Sequence, residues 1–151
     1  MPSTSVQDFE LPATGSQTFR LSAMAERHLV LYFYPKDNTP GCTTEGEQFR
    51  DAHESFKAAG CKVLGISRDS MKSHENFKAK MQFPFDLLCD EAELACNLFG
   101  VIKMKNMYGK QVRGIERSTF VLDRHGVILR EWRGVKVPGH VAEVLACVQA
   151  L

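Results

Sequence analysis

The chain has 151 residues, enough for one domain with a proper core and no need of disulfide or metal staples. Hydrophobic residues make up 44% and charged residues 25%, while Lys+Arg 19 against Asp+Glu 18 leaves no electrostatic case for nucleic acid or an anionic membrane surface as a partner. The longest strongly apolar run, residues 29–34, is far too short to cross a bilayer.

No repeat, low-complexity tract or linker divides the chain, so residues 1–151 read as a single domain. The N-terminal stretch "MPSTSVQDFELPATG" has no apolar h-region and does not read as a secretory signal. "HLVLYFYP" is a short apolar run ended by proline, the pattern of a buried strand. From about Cys42 to Ala59 the residues Phe49, Ala52, Phe56 and Ala59 recur at helical spacing, and Gly60 closes the segment. "CKVLGIS" predicts a second buried strand. "DSMKSHENFKAKM" predicts a helix with a capping Asp-Ser start, and Pro84 forbids its continuation. "FDLLCD" predicts a third strand, and "EAELACNLFG" a helix stopped by Gly100. The basic stretch "KMKNMYGK" reads as a solvated loop rather than a nucleic-acid site. "GIERSTFVLD" and "VILREWRG" flank "RHG" as a hairpin, and "PGHVAEVLACVQAL" ends the chain as an amphipathic helix with Pro138 near its start.

Alternating strands and helices require parallel strands joined by right-handed crossovers, and the late hairpin adds antiparallel strands. The expectation is an α/β architecture with a mixed central β-sheet flanked by helices. In such sheets, sites lie beyond the carboxyl ends of the strands, and Cys42 falls there.

The five cysteines are Cys42, Cys61, Cys89, Cys96 and Cys147. An odd count with no signal peptide points to a reducing cytoplasm. No Cys-x-x-Cys is present and no histidine stands at ligand spacing from a cysteine, so a zinc site is not expected. Cys42 differs from the rest in its position. In the first turn of a helix it meets unpaired backbone N–H groups and the positive end of the helix dipole, both of which favour the nucleophilic thiolate. Thr39, three residues before it, and Glu45, three after, add hydrogen-bonding groups to the same turn. Cys61, Cys96 and Cys147 read as core residues.

"YPKDNTPGCTTE" resembles the active-site loop of the peroxiredoxins, whose signature Pro-x-x-x-Thr-x-x-Cys is matched by Pro35, Thr39 and Cys42. The wording "KDNTPGCT" is most similar to the peroxiredoxin Q, or bacterioferritin comigratory protein, subfamily. "VLGISRDS", "NMYGKQVRGIERSTFVLD" and the final hairpin and helix resemble it in the same order, so the likeness covers nearly the whole chain. It implies a thioredoxin-like fold and a thiol peroxidase that reduces hydrogen peroxide and organic hydroperoxides. Cys42 would be the peroxidatic thiolate, oxidised to a sulfenic acid with no cofactor. Thr39 would hold the peroxide. Arg117, on the strand before the hairpin, would stabilise the negative charge of thiolate and leaving oxygen. Pro35 would shield the sulfur and Glu45 would orient Arg117.

The chain departs from the subfamily where the sulfenic acid is resolved. Five residues after Cys42, where many members carry a resolving cysteine, stands Glu47. The alternative position in the following helix aligns with Lys78, and "HENFKAKM" holds no cysteine. Cys89, on the same sheet edge as Cys42, is the one internal candidate. It lies about 10 Å off, two strand spacings away, so pairing would require local unfolding that Gly46 would ease. The expectation is a one-cysteine mechanism using an external thiol: glutathione, glutaredoxin or thioredoxin. An internal Cys42–Cys89 route and a peroxide-responsive redox sensor are the alternatives. A cysteine hydrolase fits poorly, because nothing selects a histidine as base. No apolar stripe demands an interface, so a monomer is expected, with a weak dimer as the alternative.

Overall fold

The run His28–Phe33 (β3) is apolar at almost every position because both of its faces are covered. Leu29, Leu31 and Phe33 point to one side of the central sheet and join Leu64, Ile66, Phe120 and Leu122. Val30, Tyr32 and Tyr34 point to the other and join Val63, Val121, Phe49 and Phe56. In this computed structural model the described residues are 5–151, without the side chain of Met107, and the first four residues of the N-terminal stretch lie outside them.

Two short strands, Glu10–Ala13 (β1) and Gln17–Arg20 (β2), form an antiparallel hairpin that had no counterpart among the predicted elements. After β3 come Pro40–Asp51 (α1) and His53–Ala58 (α2), then Cys61–Ser67 (β4), Met71–Met81 (α3), Leu87–Cys89 (β5) and Leu94–Phe99 (α4). The second half contributes Ile102–Met107 (β6), Lys110–Ile115 (β7), Ser118–Asp123 (β8), Ile128–Arg133 (β9) and His140–Gln149 (α5). The main sheet has seven strands in the order β2-β1-β5-β4-β3-β8-β9. Strands β3, β4 and β5 are parallel, and the pairs on either side are antiparallel. The mixed sheet between helices is as expected.

Several boundaries differ for physical reasons. The helix expected over residues 42–59 breaks at Ala52 (φ −94°, ψ 0°), yet Phe49 and Phe56 remain fully buried on one face. The helix expected from Glu91 begins at Leu94, because Glu93 sits at φ 62° and cannot continue a right-handed helix. The stretch 103–110, read as a solvated loop, is instead most of the β6–β7 hairpin, a separate two-stranded sheet. Tyr108 and Gly109, both at positive φ, supply its two-residue turn. The strand drawn through "GIERSTFVLD" is likewise split: Glu116 and Arg117 lie between β7 and β8.

Candidate active site

The site forms at the carboxyl end of β3. Tyr34 N–H reaches across to Ile66 O at 3.1 Å, the chain turns through residues 35–39, and α1 begins at Pro40 with Thr39 as its N-cap residue. Pro40 brings no N–H, the Thr43 N–H is taken by Thr39 O at 2.8 Å, and no side chain caps the turn. That leaves the Gly41 and Cys42 amides as the first-turn donors without a helical partner.

Arg117 arrives from the neighbouring strand. The β3–β8 register pairs Phe33 with Ser118, so Arg117 stands one rung further on, just before β8. Side chains alternate along a strand, and Val121 of β8 faces the α1 side, so Arg117 faces that side too. Its Nη2 donates to Cys42 Sγ at 3.4 Å and its Nη1 to Glu45 Oε1 at 2.7 Å. Gly41 permits this approach: a Cβ there would lie 3.1 Å from Arg117 Nη2. Cys42 is buried, with the residue at 2% exposure.

Glu45 is fully buried, and its second oxygen, Oε2, has no partner among the described residues. Burial raises its carboxyl to about 7, although the Arg117 charge and hydrogen bond pull the other way. On Arg117, burial opposes the charge but is outweighed by Glu45 and Cys42, so the guanidinium is held protonated more firmly than usual. The wall behind is aromatic. Tyr32 stacks on Phe49 at 4.4 Å between ring centroids, and Phe83 on Phe85 at 4.9 Å. Gly46 serves that wall, since a Cβ there would fall 2.5 Å from Phe83 Cζ.

Of the residues singled out from sequence, Cys42, Glu45 and Arg117 are joined by direct contacts. Thr39 lies one turn earlier, with its hydroxyl donating to Lys36 O at 2.8 Å, and Pro35 is half-buried on the approach. Arg117 is in the short link before β8 rather than within a strand. Two carboxylates missed by the sequence reading organise the turn. Asp37, 5% exposed, accepts from Tyr34 Oη (2.6 Å) and Ser73 Oγ (2.8 Å) and lies 2.8 Å from His74 Nδ1. Asp69 accepts from the Asp37 N–H at 2.9 Å and from Ser67 Oγ. Asp37, Asp69 and His74 are the group of metal-ligand type found among the described residues. Their facing atoms are engaged in these hydrogen bonds, which accounts for the cluster without an ion.

All five cysteines are free. Cys61 is buried at the far end of β4, with its thiol pushed up by burial to about 12. Cys96 is buried in α4. Cys147, expected in the core, is half-exposed instead, because Val144 and Val148 take the inner face of α5. Cys89 is buried at the end of β5, where its single S–H has two acceptors in reach, Asp69 O (3.3 Å) and Glu91 Oε1 (3.4 Å), and burial first and Glu91 second push the thiol up to about 11. At the positions of the absent resolving cysteines, Glu47 is half-buried on α1 and Lys78 Nζ bonds Asp86 Oδ1 at 2.7 Å.

Residues 2–130 match the AhpC/TSA family. The chain belongs to that family. It is 56% identical over 145 residues to peroxiredoxin Bcp of Xanthomonas campestris pv. campestris, across 94% of this chain and 90% of that protein. The structure of a Xylella fastidiosa PrxQ mutant superposes with a TM-score of 0.90 at 44% identity, covering 99% of this chain and 98% of that one. A structure of the X. campestris bacterioferritin comigratory protein, concerned with that protein's alkyl peroxide reduction activity, superposes at 0.89 with 54% identity, covering 94% and 90%. The chain is thus a peroxiredoxin of the Q/Bcp type with the thioredoxin-like fold, and a thiol-dependent peroxidase acting on hydroperoxide with a thiol reductant.

Proposed function

We propose that this peroxidase works through Cys42 alone and hands its sulfenic acid to an external thiol. The observation that carries the assignment is the Arg117 guanidinium bridging Cys42 Sγ and the buried Glu45. The Cys42 thiolate attacks one oxygen of ROOH, the O–O bond breaks, and the leaving alkoxide takes a proton to give ROH. Thr39 receives the O–H of the peroxide, Arg117 and the first-turn amides stabilise charge on the oxygens, and Pro35 limits water. Glu45 holds Arg117 in line. A reductant thiol then attacks Cys42–SOH, releasing water, and a second thiol frees Cys42 from the mixed disulfide.

The external route is supported by Glu47 and Lys78 at the usual resolving positions and by the high Cys89 thiol, which is a poor nucleophile at neutral pH. The expected substrates are hydrogen peroxide and organic hydroperoxides, and the expected reductants glutathione, glutaredoxin or thioredoxin. We read residues 1–151 as one domain acting as a monomer in the cytoplasm, where five free thiols stay reduced; no described helix is long and apolar enough to cross a membrane.

The test is one equivalent of hydrogen peroxide on the reduced protein with a sulfenic-acid trap, followed by intact mass and peptide mapping. A trapped adduct on Cys42 with the other thiols free supports the reading. Loss of two hydrogens with a Cys42–Cys89 crosslink overturns it. Excess peroxide should carry the unresolved sulfenic acid on to sulfinic acid.

A further inference from the structure

Thr39 is the N-cap residue of α1, yet its side chain makes no capping bond, although capping is the ordinary use of threonine there. Its hydroxyl proton goes instead to Lys36 O at 2.8 Å. A threonine hydroxyl has one proton and two lone pairs. With the proton committed, only acceptor capacity is left, and that is what a hydroperoxide O–H requires. What commits the proton is the direction of the Lys36 carbonyl.

That carbonyl belongs to the same peptide unit as the Asp37 N–H. The unit is planar, and its N–H and C=O point in opposite directions. The Asp37 N–H is drawn to Asp69 Oδ2 at 2.9 Å, so the Lys36 carbonyl is turned the other way, onto the Thr39 hydroxyl. Asp69 is steadied in turn: Ser67 Oγ donates to the same Oδ2, and the Asp69 N–H returns to Ser67 Oγ at 3.1 Å. Ser67 ends β4, paired with Cys89 of β5, so this anchor stands on the rigid sheet. The Asp37 carboxylate pins the other side of the turn to α3 through Ser73 and His74, and Lys80 Nζ holds Asn38 Oδ1 at 2.9 Å.

We propose that Asp69 is a positioning residue for peroxide reduction, which acts through the Lys36–Asp37 peptide to aim the Thr39 hydroxyl as an acceptor. This rests on the reading that Thr39 receives the peroxide. Asp69 touches no reacting atom; it removes the freedom of a hydroxyl that would otherwise rotate toward the helix amides.

A double-mutant cycle tests it, using D69A, T39V and the pair. The readouts are the second-order rate constant of Cys42 oxidation by hydrogen peroxide and, separately, Cys42 alkylation by iodoacetamide followed by peptide mapping. T39V and D69A should each slow oxidation by about 10- to 100-fold, the range for losing one oriented hydrogen-bond partner. The pair should be no slower than T39V, and alkylation should hold at the wild-type rate. D69N keeps an acceptor for the Asp37 N–H and should recover most of the loss. S67A, a milder lesion that serves if D69A does not fold, should show a smaller loss that also disappears with T39V. Losses that multiply in the pair, or a D69A that slows alkylation as much as oxidation, would overturn the proposal while leaving the role of Thr39 standing. If T39V alone oxidises normally, the Thr39 reading fails, and with it this one.

Discussion

Cys42 and Cys96 hold the same place in two helices, each the third residue after the N-cap, and both are buried. Their surroundings are opposite in sign. At α4 the Asp90 carboxylate fills the helix end, accepting from the Cys96 N–H at 2.8 Å and the Ala95 N–H at 3.3 Å. Burial first, then the Asp90 hydrogen bond and charge, push the Cys96 thiol up, which favours the protonated form over the nucleophilic thiolate. At α1 no side chain caps the turn, and a guanidinium rather than a carboxylate stands against the sulfur. A helix N-terminus therefore does not make a reactive cysteine by itself. What matters is whether the orphan amides are already used and which charge faces the thiol.

The largest expected effect separates the two thiols outright: C42S should abolish peroxide consumption, and C96S should leave it intact, by a coupled peroxidase assay. Activity surviving in C42S would end the comparison. R117K comes next. Lysine keeps the charge but cannot bridge Sγ and Glu45 in one plane, and the oxidation rate of Cys42 should fall by about 100-fold. A near-normal rate would mean that charge alone suffices.

G46A tests the aromatic wall, because its added methyl meets Phe83 at 2.5 Å. A loss of about 1–3 kcal/mol is expected in denaturant melts. D90N sharpens the comparison from the inert side. Removing the carboxylate charge should bring the Cys96 thiol down, while burial, the larger cause, keeps it well above the free value. The weakened cap should cost about 1 kcal/mol, or roughly 2–4 °C in Tm. Peroxide reactivity appearing at Cys96 would show that burial had been ranked too high.

The smallest effect concerns Glu45. Its folded carboxyl is raised to about 7 by burial, so the folded state binds this proton more tightly than the unfolded chain does. The associated stability is fully present below the unfolded value and is lost as pH rises through about 7. E45Q, neutral throughout and still able to accept from Arg117, should show a shallower fall in unfolding free energy between pH 5 and 8. A slope identical to wild type would mean that the Glu45 proton is not linked to folding.

Much of this could be read without coordinates. The buried strands β3 and β4 declared themselves by apolar runs ending at proline and serine, and Cys42, Thr39 and Arg117 by a resemblance that matched residue by residue. The β1–β2 and β6–β7 hairpins did not stand out, since their short strands mix charged and apolar residues and the second lies outside the main sheet. Asp37 and Asp69 were passed over because acids beside turns are ordinarily solvated. The packing of Phe83 against Gly46 was likewise out of reach of the sequence, since it joins α1 to a residue 37 positions on.

By itself, the sequence determined the candidate side chains Cys42, Thr39 and Arg117, the succession of elements from β3 to α4 and from β8 to α5, and the absence of cysteine at positions 47 and 78. Those are local matters of periodicity, turn chemistry and residue type. Only the tertiary structure decided which charges face which thiol. Arg117 meets Cys42 because the β3–β8 register brings it there across 75 positions of chain, while Asp90 meets Cys96 from six residues away. Burial then set the strength of each encounter, and burial belongs to the packed sheet and helices rather than to any residue alone.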